Sequence, residues 1–231
     1  DGALAGRFDA MGLDERATNK RAIEQRFGLA RDDGPLFCVV SRLTWQKGMD
    51  LLFAVLDRLV ASGARLALLG AGDPGLEHAF REVAKRHGGR IGIEIGYDDA
   101  LSHLMLGGSD AILIPSRFEP CGLTQLQGFR YGCVPVVSRV GGLADTVIDA
   151  NEAAVSAGAG NGVQFAPVDE TSLDLAIHRT IRLFGDRQTW RRLQLNGMSC
   201  DVSWERSARR YAALFRSLKS RATPLEQQGQ P

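Results

Sequence analysis

The chain has 231 residues, 44% of them hydrophobic, enough to bury one large core or two modest ones. Its 28 basic and 27 acidic residues leave a formal charge of +1, which offers no field for holding nucleic acid or an anionic membrane. No apolar run approaches the roughly 18 residues of a membrane span, and Cys38, Cys121, Cys133 and Cys200 form no C-x-x-C pair, which argues against a zinc knuckle and a disulfide framework. The expectation is a soluble, cytoplasmic protein with reduced thiols and no metal or cofactor.

Residues 1–18 show weak periodicity and no initiating Met, and read as a segment between domains of a longer chain. From Pro35 onward, short apolar runs alternate with helix-like stretches. The strand candidates are "LFCVVS" (36–41), "RLALLG" (65–70), "IGIEIG" (91–96), "AILIPS" (111–116), "VPVVS" (134–138) and "GVQFA" (162–166). Helices are predicted at 49–62, 75–87, 98–107, 122–131 and 141–149, each long enough for a right-handed crossover. This rhythm is that of an α/β fold, a Rossmann-like doubly wound parallel sheet whose near-continuous apolar strands are covered on both faces. Beyond Pro167 come C-terminal helices near 170–184, 187–198 and 204–219, the last with Trp204, Ala208, Tyr211, Phe215 and Leu218 on one stripe. Residues 1–221 read as one domain, and 222–231 as a disordered tail.

In open α/β sheets ligands bind beyond the carboxyl ends of the strands, so the connections there are where chemistry is sought. After the first strand, "SRLTWQKGMDLL" sets Arg42 and Lys47 around a polar turn, with Gly48 allowing close approach. Two cations beside a helix start suit an anion, although a solvated loop would look the same. Lys47 is one of only four lysines beside 24 arginines. The next connection, "GAGDPG", is a literal G-x-G-x-x-G with Glu94 downstream, the pattern of a dinucleotide site. Against that, Pro74 removes an amide and Asp73 adds negative charge, so a tight turn is the competing reading. Tyr97 follows the third strand, ahead of a helix capped by Asp98 or Asp99.

After the fourth strand comes "PSRFEPCGLTQLQG", which crowds Arg117, Glu119 and the turn Cys121, Gly122, Leu123 and Thr124 into one strand-to-helix connection. Packing needs neither charge there, so the crowding points to a site. The amides of the helix start would face the ligand edge, with Glu119 beside them to accept from sugar hydroxyls. Gly141 and Gly142 of "RVGGLADTV" open another helix and offer a further amide surface.

Taken in order and spacing, "SRLTWQKGMDLL", "LLGAGDP", "IGYDDALSH", "PSRFEPCGLTQLQGFRYG" and "GGLADTV" resemble the C-terminal nucleotide-binding domain of bacterial glycogen and starch synthases. These are retaining glucosyltransferases of the GT-B fold, and the resemblance runs from about Asp1 to Lys219. It implies binding of ADP-glucose or ADP, and transfer of glucose to an α-1,4-glucan held by an N-terminal domain. It implies that Arg42 and Lys47 neutralise the diphosphate and that Tyr97 stacks on adenine. Glu119 would hold the glucose hydroxyls, with the amides of Cys121, Gly122, Leu123 and Thr124 lining the sugar and phosphate pocket. The family needs no metal. Two positions depart from its pattern: Gln127 stands where related transferases often carry a second acid, and Val140 where the family often has threonine. A UDP-glucose transferase, a stand-alone nucleotide-binding module and a dinucleotide oxidoreductase are the alternatives.

Overall fold

In the computed structural model residues 1–222 are described, with side chains through Lys219. They divide into two compact units, Asp1–Ser199 and the stretch from Cys200 on. The first unit is built on a parallel sheet of six strands: β1 Leu36–Val40, β2 Arg65–Gly70, β3 Ile91–Ile95, β4 Ala111–Ile114, β5 Val134–Ser138 and β6 Val163–Phe165. Their order is β3-β2-β1-β4-β5-β6, and every pairing is parallel. The chain therefore winds outward one way from β1 and back the other way from β4. At that reversal the loops leaving β1 and β4 part to opposite faces and open a crevice, the place where open α/β sheets take ligands.

Alternation along the strands feeds two cores. Phe37, Val39, Leu66, Leu68, Leu113 and Val136 face α2 (Met49–Ala61), whose Leu52, Val55, Leu56 and Leu59 are fully buried. Leu36, Cys38, Ala67, Leu69 and Ile112 face α1 (Arg16–Phe27) and α4 (Asp99–Gly108) through Ile23, Leu101, Met105 and Leu106. Each such leucine or valine contributes about 1.5–3 kcal/mol by leaving water, and together they fix the sheet. The connections continue as α3 (Pro74–Arg86), α5 (Thr124–Arg130), α6 (Gly141–Thr146), α7 (Glu152–Ser156), α8 (Glu170–Gly185) and α9 (Arg187–Ser199).

Among the differences from the sequence reading, three bear on the fold. The helix expected at 141–149 ends at Thr146, because Asp149 is drawn off to accept from Gln164 N (2.7 Å) and to pair with Arg179. Helix α1 has no counterpart among the predicted elements. Its buried face is polar: Arg16, Asn19, Lys20 and Glu24 lie inside with Ile23, satisfied by Asp110, Arg65 and main-chain carbonyls. No apolar period marks such a helix. In the second unit α10 spans Trp204–Ala222, and the tail expected at 222–231 lies, apart from Ala222, outside the described residues.

Candidate active site

The site begins with a glycine. Gly48 ends the short 3-10 turn Trp45–Lys47 at φ 68°, and a Cβ there would lie 2.0 Å from the carbonyl oxygen of Pro115. Only glycine lets the β1 loop close onto the end of β4. Arg117 then fastens the two loops. Its main-chain N–H donates to Gln46 O (2.9 Å), and its guanidinium donates to Trp45 O (2.7 Å) and to both oxygens of Asp50 (2.6 and 2.8 Å). The same guanidinium stacks 4.4 Å from the centre of the Trp45 ring. These bonds hold the Asp50 carboxyl below the usual carboxylate range, the hydrogen bond from Arg117 outweighing the cost of burial.

So fixed, the turn delivers Lys47 to Glu119, with the ammonium donating to Glu119 Oε2. Ser116 Oγ donates to the same oxygen (3.1 Å). The two side chains are 19% and 12% exposed, buried enough for their charges to interact strongly yet open at one side. They line a cavity of about 300 Å³ with Val40, Ser41, Cys121, Gly122, Leu123, Thr124 and Gln125. A second cavity of about 380 Å³ shares Val40 and Ser41 with the first and is lined by Arg42, Gly70, Tyr97, Asp98, Ser102 and Gln127. Arg42 is exposed and forms no ion pair among the described residues, and Tyr97 is 88% exposed.

Of the residues singled out in the sequence, Lys47, Glu119, Cys121, Gly122, Leu123 and Thr124 thus meet in one cavity, and Arg42 and Tyr97 in the other. Others serve different ends. Arg117 turns toward Asp50 and Trp45 and acts on the site only through the loop it holds. The Gly142 amide, expected to face a ligand, instead donates to Glu119 O (3.0 Å) and ties α6 beneath the site. The G-x-G pattern is a matter of packing: a Cβ at Gly70 would lie 2.0 Å from Ser41 O, and one at Gly72 2.3 Å from Leu43 O. Asp73 caps α3 by accepting from Leu76 N (3.0 Å), and Glu94 pairs with Arg26 (2.7 Å). The sequence reading missed Ser116 and Gln125, and took Gln127, which lines the second cavity, only as a departure from the family pattern. Ser116 had a usable signal, a hydroxyl between the end of an apolar strand and a carboxylate, whereas a glutamine inside a helix carries none. Among the described residues no three His, Cys, Asp or Glu side chains gather as metal ligands.

The model of the group 1 glycosyl transferases matches residues 20–192. The chain belongs to that family. It is 58% identical over 221 residues to a glycogen synthase of Mesorhizobium japonicum, covering 96% of this chain and 46% of the relative. A glycogen synthase of Rhizobium rhizogenes is 57% identical over the same shares. The chain spans about half the length of the curated relatives it matches, aligning with their C-terminal part. Among solved structures, the catalytic domain of starch synthase IV from Arabidopsis thaliana, bound to ADP and acarbose, matches with a TM-score of 0.86. Identity there is 33%, over 94% of this chain and 45% of that chain. The sheet and its flanking helices are accordingly an α/β part of a GT-B glycosyl transferase fold.

Proposed function

We propose that this chain is the donor-binding domain of a glycogen synthase, which transfers glucose from ADP-glucose to the non-reducing end of an α-1,4-glucan with retention of configuration. The observation that carries the reading is the meeting of Lys47 and Glu119 beside the Cys121–Thr124 turn at the sheet's reversal point. In this reaction the bond from glucose C1 to the diphosphate oxygen breaks, one to the acceptor oxygen forms and the acceptor hydroxyl gives up its proton to the departing diphosphate, so negative charge grows on ADP as it leaves. Lys47 and Arg42 supply cations where that charge develops, which favours the transition state over the bound donor. Glu119 keeps lone pairs free beside its bonds from Lys47 and Ser116, enough to accept from two sugar hydroxyls and set the glucose in place.

The second cavity has the size and walls for a nucleoside, with Tyr97 available to stack on the base and Gln127 also in its lining. The acceptor glucan would be held by an N-terminal domain across the crevice. No helix among the described residues is long and apolar enough to cross a membrane. The proposal includes a cytoplasmic enzyme that acts on neither nucleic acid nor membrane. Calorimetric titration of the chain with ADP and with UDP tests the base assignment. ADP is expected to bind more tightly, and equal or tighter UDP binding would transfer the reading to a UDP-glucose enzyme.

A further inference from the structure

Gln125, the second residue of α5, is fully buried at the wall of the Lys47–Glu119 cavity. Its Nε2 donates to Gly122 O (2.8 Å), Cys121 O (3.2 Å) and Thr146 Oγ1 (3.2 Å). Its Oε1 is buried with no partner. Leaving an amide oxygen buried without a partner is costly, and a methionine or leucine filling the same space would avoid that cost. The donors therefore do something that packing does not.

A trans peptide points its C=O and its N–H in opposite directions. Holding Cys121 O inward turns the Gly122 N–H outward, and holding Gly122 O inward does the same for the Leu123 N–H. Both residues line the cavity, and among the described residues neither N–H donates to a protein acceptor. The turn and the amide are fitted to each other: Gly122 has φ 68°, and a Cβ there would lie 2.5 Å from Gln125 Oε1. Thr146 extends the tie, since its hydroxyl donates to Gly142 O (2.5 Å) while Gly142 N donates to Glu119 O (3.0 Å). One side chain thus couples the direction of two free amides to the segment that bears Glu119.

We propose that Gln125 is a positioning residue which aims the Gly122 and Leu123 N–H groups at an anionic oxygen of the sugar-nucleotide donor. This rests on the reading of the cavity as a donor site. It assigns to Gln125 the task of keeping two peptide dipoles oriented before the ligand arrives, so that binding need not reorganise them.

The test is a ¹H–¹⁵N titration of the full chain with ADP. In the native chain the Gly122 and Leu123 amide signals should move downfield with the same midpoint as the Tyr97 signal. Gln125→Glu sets an acceptor against two carbonyls. There the Gly122 and Leu123 responses should vanish and affinity fall about tenfold, while Tyr97 still responds. Gln125→Met keeps the volume without the donors, should behave alike, and serves if the Glu variant does not fold. Native affinity and native Gly122 and Leu123 shifts in Gln125→Met would overturn the proposal. So would a native chain in which Tyr97 responds and these two amides do not. No response at Tyr97, Lys47 or the turn would reject the donor-site reading itself, and the role of Gln125 with it.

Discussion

At the scale of single residues, Lys47 and Glu119 are each other's nearest charge, and substitutions at the two should part company. Lys47→Ala leaves Glu119, 12% exposed, with Ser116 as its remaining partner, and an unpaired carboxylate at that depth is costly. The variant should melt at a lower temperature and bind ADP more weakly by about 1–3 kcal/mol, the scale of a lost charge-assisted hydrogen bond. Lys47→Arg should restore only part of this, since a planar fork cannot reproduce a compact ammonium. Titration calorimetry decides: unchanged ADP affinity in Lys47→Ala would leave this lysine as a mere counterion for Glu119. Glu119→Gln keeps the shape and frees the ammonium, so ADP affinity should hold or rise. In the complete enzyme glucosyl transfer should nonetheless fall by about 10²-fold, because the lost contact is to the sugar as it reacts. Near-normal turnover would remove Glu119 from the chemistry.

At the scale of elements, the Arg117 fastening makes two loops into one surface, and its pH dependence has a definite sign. Asp50 is held below its ordinary value chiefly by the hydrogen bond from Arg117. The stability it supplies is therefore fully present above the usual carboxylate range, about pH 4, and is lost as pH falls through the lowered value in the folded chain. With the Asp50 side chain 41% exposed, solvent screening limits the contribution to about 1 kcal/mol or less. Melting temperatures of the native chain and of Asp50→Asn should differ by a constant amount between neutrality and about pH 5, and converge below about pH 4. A gap that persists into acid would mean that the pair is not held by charge. Because the same carboxylate anchors the turn bearing Lys47, Asp50→Asn should also weaken ADP binding at neutral pH.

At the scale of the whole molecule, the residues proposed to hold the donor are all within the chain, whereas the acceptor is expected on a second domain. Trp45, Tyr97, Phe118 and Leu123 are 62–88% exposed on the loops around the two cavities, apolar surface of the kind a facing domain would cover. Without that closure the reacting carbon of the sugar would face water and lack a positioned acceptor. The chain by itself should bind ADP and ADP-glucose yet fail to lengthen glycogen when given labelled ADP-glucose, with the full-length enzyme as control. Transfer near the control rate would place the acceptor site in this chain. Failure to bind either nucleotide, in a chain that still melts cooperatively, would show that the donor site needs the facing domain.

The sequence by itself determined what periodicity and local chemistry can encode. The strands showed as apolar runs because both faces of the sheet are covered, and the helices after them showed through turns and caps such as Asp98. The ordered blocks from Arg42 to Gly142 pointed to the family and gathered the candidate site, because each strand-to-helix connection is continuous in sequence. Helix α1 stayed hidden because partners far along the chain satisfy its buried polar face: Asp110 meets Lys20, and Arg65 meets Glu24. A local window sees only a polar stretch. The tertiary structure alone decided that Lys47 meets Glu119, 72 residues away, since that depends on β1 and β4 being neighbours. It alone decided that Arg117 serves a loop, that Gly142 binds Glu119 O, and that Gln125 turns two amides outward. Which way a side chain or peptide points is set by what packs against it, and that neighbour exists only once the sheet has formed.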